Sequence, residues 1–102
     1  MTNVVLRALA EPKRVAILRL IRSHEMRAGD IARNFRTTRP AVSQHLRVLV
    51  DAGLVSERRE GTSRLYAIRR EGFAQLRSFF DSFWDEKLVT LKDAVERDRQ
   101  RD

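Results

Sequence analysis

Residues 37–55, "TTRPAVSQHLRVLVDAGLV", decide the fold. Thr37 or Thr38 can cap a helix through its hydroxyl, Pro40 suits the first turn, and Gly53 can close the helix in the left-handed region. Val42, Leu46, Leu49 and Val50 follow the i, i+4, i+7, i+8 pattern and must face a core. At ~100° per residue, Pro40, Ser43, Gln44 and Arg47 then fall on the opposite side. That side is polar yet carries little net charge. A face meant only for solvent would more often hold Glu and Lys.

The neighbouring segments say what that side is for. Upstream, "RAGDIARNF" reads as a short helix with Ile31, Ala32 and Phe35 inward and Asp30 near its N-terminal end. Its cap is weak, because Arg27 stands where Ser or Thr is preferred. The short polar turn "RNFRTTRP" joins the two helices, which together make a helix-turn-helix. Downstream, two strand-like runs flank Glu60-Gly61-Thr62, and Gly61 can take the positive φ of a tight hairpin. Arg58, Arg59 and Arg64 crowd its tip. A basic hairpin directly after such a helix is a wing: the helix enters the major groove, and the wing reaches the flanking backbone or minor groove.

The remaining segments frame this unit. "EPKRVAILRLIRS" is a helix started by Pro12, with Val15, Ile17, Leu18, Leu20 and Ile21 as a wide buried stripe. Before it, residues 3–10 are a short apolar segment. After the wing, Phe73, Leu76, Phe80, Phe83, Leu88, Leu91 and Val95 recur mostly at three- and four-residue steps. They predict one helix from about 72 to 98, spanning ~40 Å. The expected fold is therefore mainly α with a small β-hairpin wing, a single domain over residues 1–102.

The formal charge of +7 is unevenly placed. Residues 1–72 hold 15 Lys+Arg against 7 Asp+Glu, and residues 73–102 hold 6 against 7. Most of the cations are Arg, which forks onto phosphate and guanine better than Lys does. A polyanion partner for the first part and a separate task for the tail follow. The chain has no cysteine, which excludes disulfides and thiolate metal sites and suits a reducing cytoplasm. No apolar run is long enough to cross a membrane, and the first residues lack the pattern of a signal peptide.

The blocks "LAEPKRVAILRLI", "GDIARNF", "TTRPAVSQHLRVLVDAGLV" and "RREGTSRLYAI" resemble successive segments of ArsR-type winged-helix bacterial repressors. The resemblance covers about residues 6–70, and the tail is similar to the family's closing dimer helix. It implies a homodimer that binds double-stranded DNA at an imperfect palindromic operator and represses transcription, often of its own operon. Carried over residue by residue, it implies DNA contacts from Thr38, Arg39, Ser43, Gln44 and Arg47, with Arg58, Arg59 and Arg64 holding the wing on DNA. Gln44 is the candidate for reading adenine through a paired donor and acceptor, while Ser43, Arg39 and Arg47 are more suited to phosphate.

The chain departs from the family's metal sensors. Where those carry two cysteines in a Glu-Leu-Cys-Val-Cys-Asp pattern, this sequence reads "EMRAGD", with Arg27 and Gly29 in the thiolate positions. The last helix has acids but no His, a poor set for zinc or nickel. No metal and no cofactor is expected. Val5, Leu6, Leu9, Phe80, Phe83, Trp84, Leu88 and Leu91 are expected at the interface between copies, where aromatics are favoured. The aromatic group of Phe79, Phe80, Phe83 and Trp84 could also line a pocket for an apolar effector; the sequence does not identify an effector or require one. His45, beside the buried stripe, is read as a packing or backbone-bonding residue. Ser43 and His45, two apart on a helix, cannot form a catalytic pair, and no other nucleophile or phosphate loop supports an enzyme. The competing readings are a protein-docking module and a non-specific architectural DNA binder.

Overall fold

The computed structural model describes the backbone of residues 2–101 and the side chains of 3–83 and 93–99. The order is α1 (Thr2–Leu9), α2 (Pro12–Ile21), β1 (Met26–Arg27), α3 (Ala28–Ala32), α4 (Arg39–Asp51), β2 (Val55–Glu60), β3 (Ser63–Ile68) and α5 (Arg70–Arg101). Helices α2, α3 and α4 enclose a core of Ile17, Leu18, Ile21, Ile31, Val42, Leu46 and Leu49, all under 8% exposed. Leu54, Val55 and Tyr66 close it from the sheet side. Val15 and Leu20 of α2 and Val50 of α4, expected inside, are only half-buried.

Helices α2 and α4 begin where their capping chemistry dictates. The Glu11 carboxylate accepts from the Lys13 amide at 3.3 Å, and Pro12 opens α2. Thr38, rather than Thr37, caps α4: its Oγ1 accepts from the Ala41 amide at 3.3 Å. Arg27 gives α3 no side-chain cap, as its identity predicts. At the far end of α4, Gly53 takes φ 79°. The Leu54 amide donates to the Leu49 carbonyl at 3.1 Å and the Gly53 amide to Val50 at 3.0 Å. These paired bonds are a Schellman closure, and they deliver the buried Leu54 directly into the wing.

The wing is broader than a hairpin. β3 pairs antiparallel with β2 on one side and with the two-residue β1 on the other, in the order β1-β3-β2. The register sets Met26 and Glu57 on either side of Tyr66, and Arg27 and Arg58 on either side of Leu65. "EMR" had offered no strand-like alternation. Two residues are too short a run for periodicity to show, so β1 exists only because β3 offers it an edge. Gly61, at φ 62°, makes the turn between β2 and β3.

Helix α5 begins at Arg70 and ends at Arg101, longer at both ends than the expected 72–98. Phe73 and Leu76 pack on the core. The same stripe then continues past the core's edge, leaving Phe80 44% and Phe83 57% exposed. Phe79 meets both rings edge-on, at centroid distances of 5.5 and 5.8 Å. Trp84, Leu88 and Leu91, also expected at an interface, lie outside the described side chains. On α1 one expectation is corrected. Val5 is 5% exposed and, with Ala8, belongs to the chain's own core, while Val4 is 51% exposed. A helix turns ~100° per residue, so a face centred on Val5, Ala8 and Leu9 leaves Val4 at its margin. Leu6 and Leu9 are half-buried.

The start of α5 is set by one close backbone approach. A Cβ on Gly72 would lie 2.8 Å from the Gly53 carbonyl carbon and nearer still to its oxygen. Gly→Ala inside a helix ordinarily stabilises by up to ~1 kcal/mol. Gly72→Ala should do the opposite, destabilising by about 2–3 kcal/mol because backbone has to move. Urea unfolding of the two proteins checks the sign; a more stable variant would show that α5 does not sit this close.

Candidate nucleic-acid interface

The outward side of α4 carries Arg39, Pro40, Ser43, Gln44 and Arg47, all exposed. It is outward because Val42, Leu46 and Leu49 are at most 2% exposed on the other side. Opposite this side stands the inner face of the wing. Residues paired across a sheet share a face and neighbours along a strand alternate, so Glu57, Arg59, Arg64 and Tyr66 lie together on the inner face. Nearer its base, the same face carries Val55 and Ile68 into the core.

Between the two runs a polar groove of about 760 Å³. Ser43 and Gln44 line it, and five arginines (Arg27, Arg33, Arg39, Arg47 and Arg64) surround them against two acids, Asp30 and Glu57. The neutral groups can donate and accept, and the cations stand around them. This is the division needed by a surface that positions on phosphate and reads base edges.

Of the residues selected from the sequence, Arg39, Ser43, Gln44, Arg47 and Arg64 come together in this groove. Thr38 stands at its head with its hydroxyl engaged by the cap. Arg59 shares the inner face of the wing with its cross-strand partner Arg64. Arg58 does not join them. It lies on the outer face, where its guanidinium forms a bidentate pair with Glu25, Nε donating to Oε2 at 2.9 Å and Nη2 to Oε1. It also meets Glu60 at 3.2 Å. Four consecutive charges, "ERRE", give no hint of which ones turn outward until the register is known.

Arg27 and Arg33 were not selected from the sequence. In the sequence Arg27 stands out as a poor cap and at one of the thiolate positions, and Arg33 does not stand out; Arg27, at the end of β1, and Arg33, just past α3, line the groove because α3 packs beside α4. Arg33 lies 3.5 Å from Asp30, and the Asn34 amide donates to the Asp30 carbonyl at 2.9 Å, which finishes α3. His45, half-buried, does not bond backbone: its Nδ1 lies 3.4 Å from Arg14 Nη1.

The electrostatics follow the geometry. The hydrogen bond from Arg58, ahead of its charge, holds the Glu25 carboxyl below the ordinary value of 4.5, and the same pairing pushes the Arg58 guanidinium up. Burial, then the Glu57 carboxylate, pushes the Tyr66 phenol up. Among the described residues no group of three His, Cys, Asp or Glu side chains is placed to hold a metal ion, and no helix is long and apolar enough to cross a membrane.

Comparison with known proteins agrees with this geometry. The family model described as "Bacterial regulatory protein, arsR family" matches residues 11–57. The chain is 43% identical to the HTH-type transcriptional regulator Rv2034 of Mycobacterium tuberculosis, over 80% of this chain and 77% of that protein. It is 38% identical to the transcriptional repressor SdpR of Bacillus subtilis, over 65% and 73%. Among solved structures, a possible transcriptional regulator for arsenical resistance superposes with TM-score 0.72 at 44% identity, covering 83% of this chain and 92% of that one. The homodimeric winged helix-turn-helix DNA-binding domain of Mb0332 from Mycobacterium bovis does so with TM-score 0.66 at 34% identity, covering 82% and 78%.

The depressed Glu25 carboxyl makes the strap between β1 and the wing sensitive to acid. A carboxylate whose value falls on folding contributes fully above its unfolded value, and that contribution is lost as pH drops through the folded one. An NMR titration should place the Glu25 side-chain midpoint below 4.5. In Arg58→Ala it should move back up; an unmoved midpoint would show that Arg58 is not its partner in solution.

Proposed function

The chain belongs to the ArsR family of bacterial regulatory proteins, winged helix-turn-helix transcriptional regulators rather than enzymes, and from that premise we propose that two copies grip an imperfect palindrome and repress the operon beside it. The observation that carries this reading is the groove itself. Ser43 and Gln44 sit at the centre of the outward side of α4, with Arg39, Arg47 and Arg64 around them. Gln44 reads adenine through its amide, and the arginines clamp phosphates on either side. Arg59, beside Arg64, extends the clamp along the wing, and Thr38 offers backbone contact at the head of α4. Arg58 has a different task, holding the wing to β1 through Glu25.

The second copy is supported by the apolar stripe of α5. Phe73 and Leu76 lie under the chain's own core, but Phe80 and Phe83 extend beyond it, and Val4 adds an exposed apolar group on α1. A twofold partner covers this surface and presents two α4 helices to major grooves about one turn, ~34 Å, apart. The M. bovis neighbour described as homodimeric is in keeping with this arrangement. DNA binding as a dimer also fits the split in charge, with the excess in residues 1–72 and none in the tail.

Selection from a random DNA pool should return one palindrome. On that site Gln44→Ala should cost about 1–3 kcal/mol and relax preference at one base pair in each half. Arg64→Ala should weaken all duplexes alike and reduce the salt slope by ~0.9 per subunit. A Gln44→Ala protein with unchanged base preference removes the reading role. Phe83→Glu should shift sedimentation from dimer to monomer and abolish preference for the full palindrome; a dimer that survives it uses another surface.

A further inference from the structure

Among the described residues, Arg14 is the one half-buried cation that touches two other helices. It lies in the first turn of α2, yet all three of its hydrogen bonds leave that helix. Nε donates to the Ala8 carbonyl at 2.6 Å, Nη2 to the Arg7 carbonyl at 3.1 Å, and Nη1 reaches Nδ1 of His45 at 3.4 Å. The first two acceptors lie in the last turn of α1, where carbonyls have no partner within the helix and the helix dipole favours a cation. The third is in the middle of α4. A guanidinium has only donors, so in this contact Nδ1 of His45 is the acceptor.

Capping α1 would need only the first two bonds. The third joins the end of α1 to the recognition helix one residue beyond Gln44 and one residue before Leu46, which is wholly buried. The fork is planar and its donors are fixed relative to one another, so a shift of α1 moves all three acceptors' optimum together. Helix α1 packs on α5, and these two helices carry the uncovered apolar groups Val4, Phe80 and Phe83. We infer that Arg14 is a positioning residue: acting through His45, it sets the angle of α4 against the dimer-forming helices and so the spacing of half-sites that the dimer accepts. This rests on the dimeric reading above.

The consequence is specific. Loss of the link leaves each α4 able to bind its own half-site but loosens the distance between the two. The test uses the full chain, the palindrome selected by the wild type, the isolated half-site duplex, and palindromes with one base pair added to or removed from the centre. His45→Leu keeps the bulk and removes the acceptor. It should lower affinity for the palindrome about tenfold, leave half-site affinity and the dimer dissociation constant unchanged, and flatten the preference for spacing. His45→Gln, which restores an acceptor, should recover both affinity and spacing preference. Arg14→Lys keeps the charge but cannot span three acceptors, and should flatten the spacing preference like His45→Leu, providing the readout should that variant fold poorly. Equal losses on palindrome and half-site, or a spacing preference retained by both variants, would overturn the inference. A wild type that prefers no palindrome over its half-site would overturn the dimeric reading itself.

Discussion

The close approach of Gly72 to the Gly53 carbonyl holds three functional parts in one place. Recognition helix α4 is closed by Gly53, the wing begins at Leu54, and the long helix α5 starts two residues before Gly72. The Arg69 amide reinforces the junction by donating to the Leu54 carbonyl at 2.9 Å. Neither glycine is there for flexibility. Gly53 takes a φ of 79° that an L side chain rarely adopts, and Gly72 stands where a Cβ has no room. Because the junction is backbone against backbone, its geometry is stiffer than one built from side chains. The groove between α4 and the wing therefore keeps its width, and α5 leaves the core at a defined angle.

From that junction the charge distribution becomes intelligible. Arginines flank α3 and are spread over the head of α4, its outward side and β3, so no single element looks strongly basic. Packing brings five of them around two neutral side chains. A groove lined by cations alone would bind any duplex; one lined by neutral amides alone would lack the phosphate attraction that dominates affinity. Glu57, 3.7 Å from Arg64, and Asp30, 3.5 Å from Arg33, hold two of the cations in place within the groove. At such exposed sites these pairs add little to stability. Their effect is to limit where the guanidinium groups can go.

How much of this was legible before the fold was known differed by element, for physical reasons. Helix α4 could be read nearly whole, its cap left between Thr37 and Thr38 and Val50 placed too deep, because its cap, its proline, its apolar stripe and its closing glycine are all local signals. Residues 54–68 could be recognised as a hairpin from Gly61 and its flanking runs. The face of each wing arginine could not, because a one-residue change of register exchanges inner and outer. Arg58 and Arg59 are neighbours in sequence, and only the pairing of Arg59 with Arg64 and of Arg58 with Leu65 separates them. Val4 and Val5 present the same difficulty on a helix. Two adjacent valines are equivalent in a short segment, with Ala8 one turn from both, until packing shows which is buried. Strand β1 and the groove arginines that flank α3, Arg27 and Arg33, depend wholly on tertiary contact, and no local pattern announces them.

The exposed end of the α5 stripe ties stability to function. A chain of this length buries one modest core, and small helical domains gain much by pairing. Here the residues left uncovered by the protomer, Phe80 and Phe83, continue the same helical face that Phe73 and Leu76 apply to the core. The apolar surface that one chain cannot bury is thus aligned with the surface it does bury. A partner seated on it extends the core rather than adding a second contact elsewhere, and the rigid path from that seat, through α1, Arg14 and the Gly53–Gly72 junction, ends at the outward side of α4. Reading two half-sites at one fixed separation requires such a path, since a groove with the right donors in a loosely joined pair would recognise each half but not their spacing.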